Sequence, residues 1–184
     1  MSVVAMNGTR VIVFGKLPRH GDFISRGLDA PRRDAWDAWL SAAVERAKQT
    51  LGPDFPAAHD TAPPWRFVAG PGDFGADWRA GALAASVDSA GRRFAIMTAA
   101  EGLDESGAAT LGEPIAEAAE AMIYRAFEDG WDADALASAV EGKIASARPA
   151  TAAAPGERWW TFDRETGDPL SLGRAPASLF GVPA

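Results

Sequence analysis

The chain has 184 residues, 47% of them apolar, no cysteine and a formal net charge of −7. That length and apolar content supply the core of one domain, and the missing cysteines exclude disulfides, thiolate metal sites and thiol nucleophiles. The acidic balance argues against nucleic acid, whose phosphates need surplus Lys and Arg, and against an anionic membrane surface.

Residues 1–9 read as a frayed start. Met1 to Gly15 has no continuous apolar run before a small-residue cleavage site, so no signal peptide is expected, and no stretch approaches the roughly 18 apolar residues of a span. A soluble cytoplasmic protein is expected. Arg10 to Phe14 reads as a buried β-branched strand closed by Gly15. The stretch Gly15-Lys16-Leu17-Pro18-Arg19-His20-Gly21-Asp22-Phe23 follows. Its density of special-backbone and polar residues after a strand suits either a functional loop on a rigid scaffold or a tight connection.

From Pro31 the pattern turns helical. Ala35, Trp36, Trp39, Leu40, Ala43, Val44 and Ala47 make one apolar stripe, which predicts a helix with Trp36 and Trp39 as core anchors, ended by Gly52-Pro53. Residues 52–64, with His59 and Asp60, read as a surface connection. Trp65 to Ala69 reads as a strand, and Asp73 to Asp77 as a Gly-containing loop. Trp78 to Val87 and Arg93 to Ala99, joined through Asp88-Ser89-Ala90-Gly91, predict a β-hairpin, although the alanines at 80, 82, 84 and 85 are weak strand formers. Glu101 to Gly107 reads as a polar linker. Helices are predicted over 113–128, with Pro114 near its start and Gly130 after it, and over 132–146. Residues 147–156 read as a mobile loop, Arg158 to Phe162 as a late strand with Trp159-Trp160, Asp163 to Asp168 as a turn, and the tail as irregular. This order predicts an α/β fold: a mixed, partly antiparallel sheet flanked by helices in a three-layer α/β/α arrangement.

Tests for chemistry return little. Gly15-Lys16 lacks the upstream glycine spacing and the Ser or Thr of a phosphate loop, and no dinucleotide fingerprint follows the first strand. Two histidines offer little for zinc. His20, Asp22 and Ser25 together could form a hydrolase site, but three polar residues in six positions occur often by chance. No catalytic residue, cofactor or metal is expected. Residues 15–33 do concentrate charge: Lys16, Arg19, Arg26, Arg32 and Arg33 against Asp22 and Asp29. These cations either face an acidic or phosphorylated partner or pair with the protein's own carboxylates.

Two blocks resemble a known family. Gly-Lys-Leu-Pro-Arg-His-Gly-Asp-Phe-Ile-Ser-Arg (15–26), with Trp36 and Trp39-Leu40 downstream, resembles the opening of the TagF family, also called ImpM, of bacterial type VI secretion system-associated proteins. Pro64-Trp65-Arg66-Phe67, Pro71-Gly72, Trp78, Ser86-Val87-Asp88 and Gly91-Arg92-Arg93-Phe94 resemble its second signature, and Trp159-Trp160 its C-terminal aromatic pair. The blocks cover residues 12–98, leaving a helical and C-terminal part over 99–184. Ala85 stands where the family usually has proline, and Arg93 where it has an aromatic. The resemblance implies one TagF-like domain over 1–184, without the phosphatase domain fused to some relatives. It further implies a non-enzymatic post-translational repressor of a type VI secretion system. Its expected partner is a scaffold protein with a forkhead-associated domain. The alternatives are a hydrolase using His20, Asp22 and Ser25, and a structural component of the apparatus. Lys16, Arg19, His20, Asp22 and Arg26 are the candidate partner-binding loop. Gly15, Pro18, Gly21, Trp36, Trp39, Trp65, Arg66, Asp88, Gly91, Arg92 and Phe94 are the expected structural positions of the signature.

Overall fold

The computed structural model describes residues 8–151, 154, 156–163 and 165–180. The expected frayed start therefore lies, for residues 1–7, outside the described residues. Among those described, seven strands form one sheet: β1 (Arg10–Gly15), β2 (Ile24–Arg26), β3 (Trp65–Ala69), β4 (Trp78–Val87), β5 (Arg93–Leu103), β6 (Arg158–Phe162) and β7 (Pro169–Leu172), in the spatial order β2-β1-β5-β4-β3-β6-β7. Every pairing is antiparallel. The expectation of a mixed sheet is corrected accordingly. The helices do not serve as crossovers between parallel neighbours, so no parallel ladder forms.

The helices are α1 (Ala30–Leu51), α2 (Phe55–Asp60), α3 (Glu105–Asp129) and α4 (Ala133–Ala145). Three carry a carboxylate cap, where a side-chain oxygen accepts an otherwise unpaired N–H. Asp29 accepts from Arg32, Asp104 from Gly107 and Asp132 from Ala135. Strand alternation divides the apolar residues into two groups. Ile12, Phe14, Trp65, Phe67, Leu83 and Met97 cluster with Trp36, Leu40 and Val44 of α1 and Phe55 of α2. Val13, Val68, Ala82, Ile96 and Ala100 cluster with Ile115 and Ile123 of α3 and Leu136 and Val140 of α4. Trp36 is fully buried and stacks on Phe74 with ring centroids 4.0 Å apart.

Several boundaries differ from the sequence reading, each for a local reason. The supposed linker after residue 100 is the end of β5 followed directly by the Asp104 cap, so α3 begins at Glu105 rather than 113. Pro114 therefore lies inside the helix. It has no N–H for the carbonyl of Thr110, four residues back. That carbonyl instead accepts the Ala150 N–H at 2.8 Å, and Ala109 O accepts Ala154 N–H at 3.0 Å. These bonds tether a segment read as a mobile loop; residues 152, 153 and 155 of it lie outside the described residues. Within the supposed connection over 52–64, α2 buries Phe55 and His59. Short edge strands β2 and β7 gave no periodic signal. β4 is a strand despite its alanines: a Cβ at Gly81 would overlap the backbone of Thr98 and Ala99, so the hairpin strands approach closely there.

Candidate functional site

Loop 15–26 and the β4–β5 turn form one connected unit. Gly15 has φ +128, and a Cβ there would overlap Ala95 O, so glycine is needed for the chain to leave β1. Leu17 is buried, and His20 N donates to Leu17 O at 2.9 Å, which closes the turn around Pro18. The loop is sewn to the opposite turn by Ser89 N to His20 O at 2.9 Å and Arg92 Nη2 to Gly21 O at 2.7 Å.

Lys16 is not on the surface. Only 7% of it is exposed; its Nζ donates to Asp88 Oδ2 at 2.9 Å and stands 5.0 Å from the centroid of the Phe23 ring. Its carbonyl accepts from Ser86 Oγ at 2.7 Å. Asp88 is the organising anion of the unit. Besides Lys16 it accepts from Ala90 N, Arg92 N and Arg92 Nε, at 3.0, 2.9 and 2.6 Å. The Lys16 ammonium, aided by the bonds from Arg92 and Ala90, holds its carboxyl well below the usual carboxylate range. Gly91, at φ +75, permits the turn and donates to Asp88 O. Phe94 is buried and meets the half-exposed Phe23 edge-on at 4.9 Å.

The remaining cations of the loop also find partners within the molecule. Arg26 Nε donates to Asp134 Oδ1 at 2.6 Å, and this bond raises its pKa above the ordinary guanidinium value. Arg19 Nη1 reaches the carbonyl of Gly130 at 3.3 Å. His20 Nε2 accepts the Ala133 N–H at the start of α4, at 3.2 Å. The loop is thereby docked on the α3–α4 junction. Asp22 is exposed and accepts no side-chain hydrogen bond among the described residues. Ser25 lies in β2 opposite Phe14. Among the described residues no hydrogen bond joins His20, Asp22 and Ser25, so the structure does not assemble the nucleophile–base pair that the hydrolase alternative requires. Of the candidate partner-binding residues, Arg19 and Asp22 are exposed, His20 and Arg26 are half-buried, and Lys16 is buried; Pro18, an expected structural position, is exposed.

Trp39 is half-buried, and its Nε1 donates to Pro176 O at 3.2 Å. Trp65 is buried. Arg66 bridges β3 to α3 through Glu120 at 2.6 Å and Glu117 at 3.1 Å.

A second charged cluster lies at the other end of the β4–β5 hairpin. Arg79 and Glu101 are both fully buried, and their charged groups approach to 3.4 Å. Glu101 Oε2 also accepts from Arg32 Nη1 and from Arg10 Nε, the latter at 3.0 Å. Arg79 Nη1 donates to Gly70 O at 3.2 Å. Burial pulls the Arg79 pKa below the ordinary guanidinium value, against the pull of Glu101. A Cβ at Gly75 would crowd the Arg79 and Arg32 side chains, and the residue holds φ +131, so glycine lets the 70–77 loop close over the cluster. The sequence reading left Glu101 in a linker. Extending the register Gly81↔Ala99 by two residues pairs Arg79 with Glu101, and that was the available signal.

Beside this loop a groove of about 820 Å³ runs between α1 and residues 174–177, lined among others by Ala38, Trp39, Ala42, Arg46, Phe74 and Pro176.

Comparison with known proteins decides the family. The model of the TagF N-terminal domain, type VI secretion system-associated, matches residues 13–142. The chain belongs to the TagF family. The match spans both signature blocks, Arg32, Arg79 and Glu101 of the buried charged cluster, helix α3 and most of α4. A search of curated proteins found no match. Among solved structures, this TagF chain is similar to the crystal structure of PA0076 from Pseudomonas aeruginosa PAO1. The identity is 27%, the alignment covers 93% of this chain and 92% of that one, and the TM-score is 0.73. Among the described residues no helix is long and apolar enough to cross a membrane.

Proposed function

We propose that this TagF chain is a cytoplasmic, non-enzymatic repressor of a type VI secretion system that works by binding another protein. We further propose a scaffold with a forkhead-associated domain as that partner. The family match over residues 13–142 carries the reading. The use of the signature's polar groups supports it. Lys16 and Arg92 both donate to Asp88 and so brace the loop, which suits a rigid presenting surface. On that surface Arg19, Asp22 and Phe23 stand outward, and Arg92 is 63% exposed along its side chain.

The test is a titration of the purified chain with the forkhead-associated scaffold, followed by co-purification from cells carrying the secretion system. Saturable binding that is lost in Arg19→Glu, Asp22→Lys and Phe23→Ser combined supports the reading. Absence of binding by a folded wild-type chain overturns it. Recovery of the chain in stoichiometric amount from the assembled machine would instead favour a structural component.

A further inference from the structure

Both walls of the groove beside α1 are anchored to the body of the protein. On one side Pro176 O accepts from Trp39 Nε1 at 3.2 Å, and just beyond it Leu179 is fully buried while Phe180 packs on Phe55 and His59. On the other side Gly72 and Gly75 exchange backbone bonds at 2.9 and 3.0 Å, and Phe74 stacks on Trp36. Gly70 is held at both backbone groups: its O accepts from Arg79, and its N donates to Glu157 at 3.4 Å. The buried Arg79–Glu101 pair therefore supports one wall. A preformed cleft spares a guest the cost of ordering it.

The lining is made largely of small residues. Ala38 and Ala42 are exposed one turn apart on α1, and Pro71, Gly72, Ala175 and Ala177 face them. Small walls leave the volume to a guest, which suits a bulky apolar side chain laid against Trp39 and Phe74. From Ala35 to Arg46 the floor runs about 16 Å along the helix, the length of about five extended residues. The charges are placed unevenly. Of the described arginines only Arg46, Arg148 and Arg174 have no hydrogen-bond acceptor among the described residues, and two of these three line the groove. Glu157 is turned to Gly70 N. Asp73 adjoins Phe74, which stacks on Trp36, about 15 Å along α1 from Arg46.

We propose that this groove docks an acidic segment of a partner protein, with a bulky apolar residue seated against Trp39 and Phe74 and carboxylates on Arg46 and Arg174. A guanidinium presents a planar fork that matches a carboxylate, and both forks are unoccupied by the protein's own acids. In a chain of net charge −7 an acidic guest gains nothing from the overall field, so these two cations must supply the attraction locally. The groove lies beside α1, whereas loop 15–26 is docked on the α3–α4 junction. The inference therefore does not rest on the scaffold proposed above, and that reading does not need the groove.

Selection from a phage-displayed library of random dodecapeptides tests this, with the wild-type chain as bait. Ala42→Trp, which fills the groove from an exposed helix position, is the counter-bait, and Ala38→Trp one turn away is the second filling variant. Peptides specific for the wild type are expected to carry Asp or Glu around an aromatic residue or Leu. A synthetic copy of the most enriched one should bind Arg46→Glu and Arg174→Glu at least roughly tenfold more weakly, the effect of losing one charge-assisted hydrogen bond. Arg148→Glu removes an exposed, equally unpartnered cation outside the groove and should bind as the wild type does. Replacing the acids of the peptide by Lys should abolish binding to the wild type and restore it to the double variant Arg46→Glu with Arg174→Glu. Failure to enrich any wild-type-specific peptide, enrichment of neutral or basic sequences, or an equal loss in Arg148→Glu overturns the proposal. Sedimentation of the wild-type chain alone tests the other occupant: a dimer that Ala42→Trp dissociates assigns the groove to a second copy and also overturns it.

Discussion

Lys16 Nζ and Asp88 Oδ2 lie 2.9 Å apart across 72 residues of sequence, with the Asp88 side chain fully buried. The pair joins the chain leaving β1 to the turn between β4 and β5. A buried ion pair is a poor source of net stability but a strict constraint on geometry, because leaving either charge alone is costly. The same carboxylate organises its own turn by accepting from Ala90 and Arg92. One residue of the second signature thus fixes the position of the first.

This predicts an acid-sensitive contribution to stability. The Asp88 carboxyl is depressed in the folded protein, chiefly by Lys16. Its unfolded-state value is the ordinary one, roughly 3.9. The unfolded chain therefore binds the proton more readily. The contribution is fully present above the ordinary carboxylate range and is lost as pH falls through the folded value. Urea denaturation of wild type and Asp88→Asn at about pH 7 and about pH 3 should show a clear midpoint difference at neutral pH that shrinks in acid. An equal difference at both pH values would assign the stabilisation to the backbone bonds of the turn.

Glu101 and Arg79 should respond unequally to mutation. Glu101 is the shared counter-ion of Arg79, Arg32 and Arg10. Glu101→Gln leaves a fully buried Arg79 uncompensated and should cost about 3–5 kcal/mol. Arg79→Met leaves Glu101 paired with two arginines and roughly fills the volume, so it should cost less than about 2 kcal/mol. Equilibrium denaturation of both variants checks the order; the reverse order would show that Arg79 acts mainly through its bond to Gly70 O.

The sequence made the core legible wherever periodicity was long. The α1 stripe, the hairpin and β3 stand where alternation and Trp, Val and Ile placed them. The three- and four-residue strands β2 and β7 were missed because they are too short to show an alternation, and the six-residue α2 because it is under two helical turns and sits among prolines and glycines. Pro114 misled in a different way. Its missing N–H marks a helix start when nothing else takes the freed carbonyl, and here Ala150 does. At the site, residue types were legible and pairings were not. Lys16 and Arg19 look alike in sequence, yet one is buried on Asp88 and the other is exposed.

That difference sets a prediction for the loop surface. Lys16→Glu would place two buried carboxylates together and should unfold the loop. Arg26→Glu, at an exposed pair with Asp134, should cost no more than about 1 kcal/mol, and the swap Arg26→Glu with Asp134→Arg should recover most of it. Under the proposed function, Arg19→Glu should weaken partner binding with the melting temperature preserved. Thermal melts alongside a binding titration separate the cases; unchanged affinity in Arg19→Glu would move recognition away from this cation.

Two tryptophans test where the aromatic signature serves the fold. Trp65 is 4% exposed and belongs to the cluster around Trp36, Phe67 and Trp159. Truncation to alanine removes a large buried side chain from a close-packed site and should cost about 3–5 kcal/mol. Trp160, next in sequence to the fully buried Trp159, is only partly buried; its ring lies under the Arg158 guanidinium, 4.8 Å from the centroid. It can lose its packing to water without leaving a closed cavity, so Trp160→Ala should cost about 1–2 kcal/mol. Chemical denaturation of the two variants measures the gap. A Trp65→Ala protein with wild-type stability that failed only in partner binding would relocate Trp65 from the core to the recognition surface.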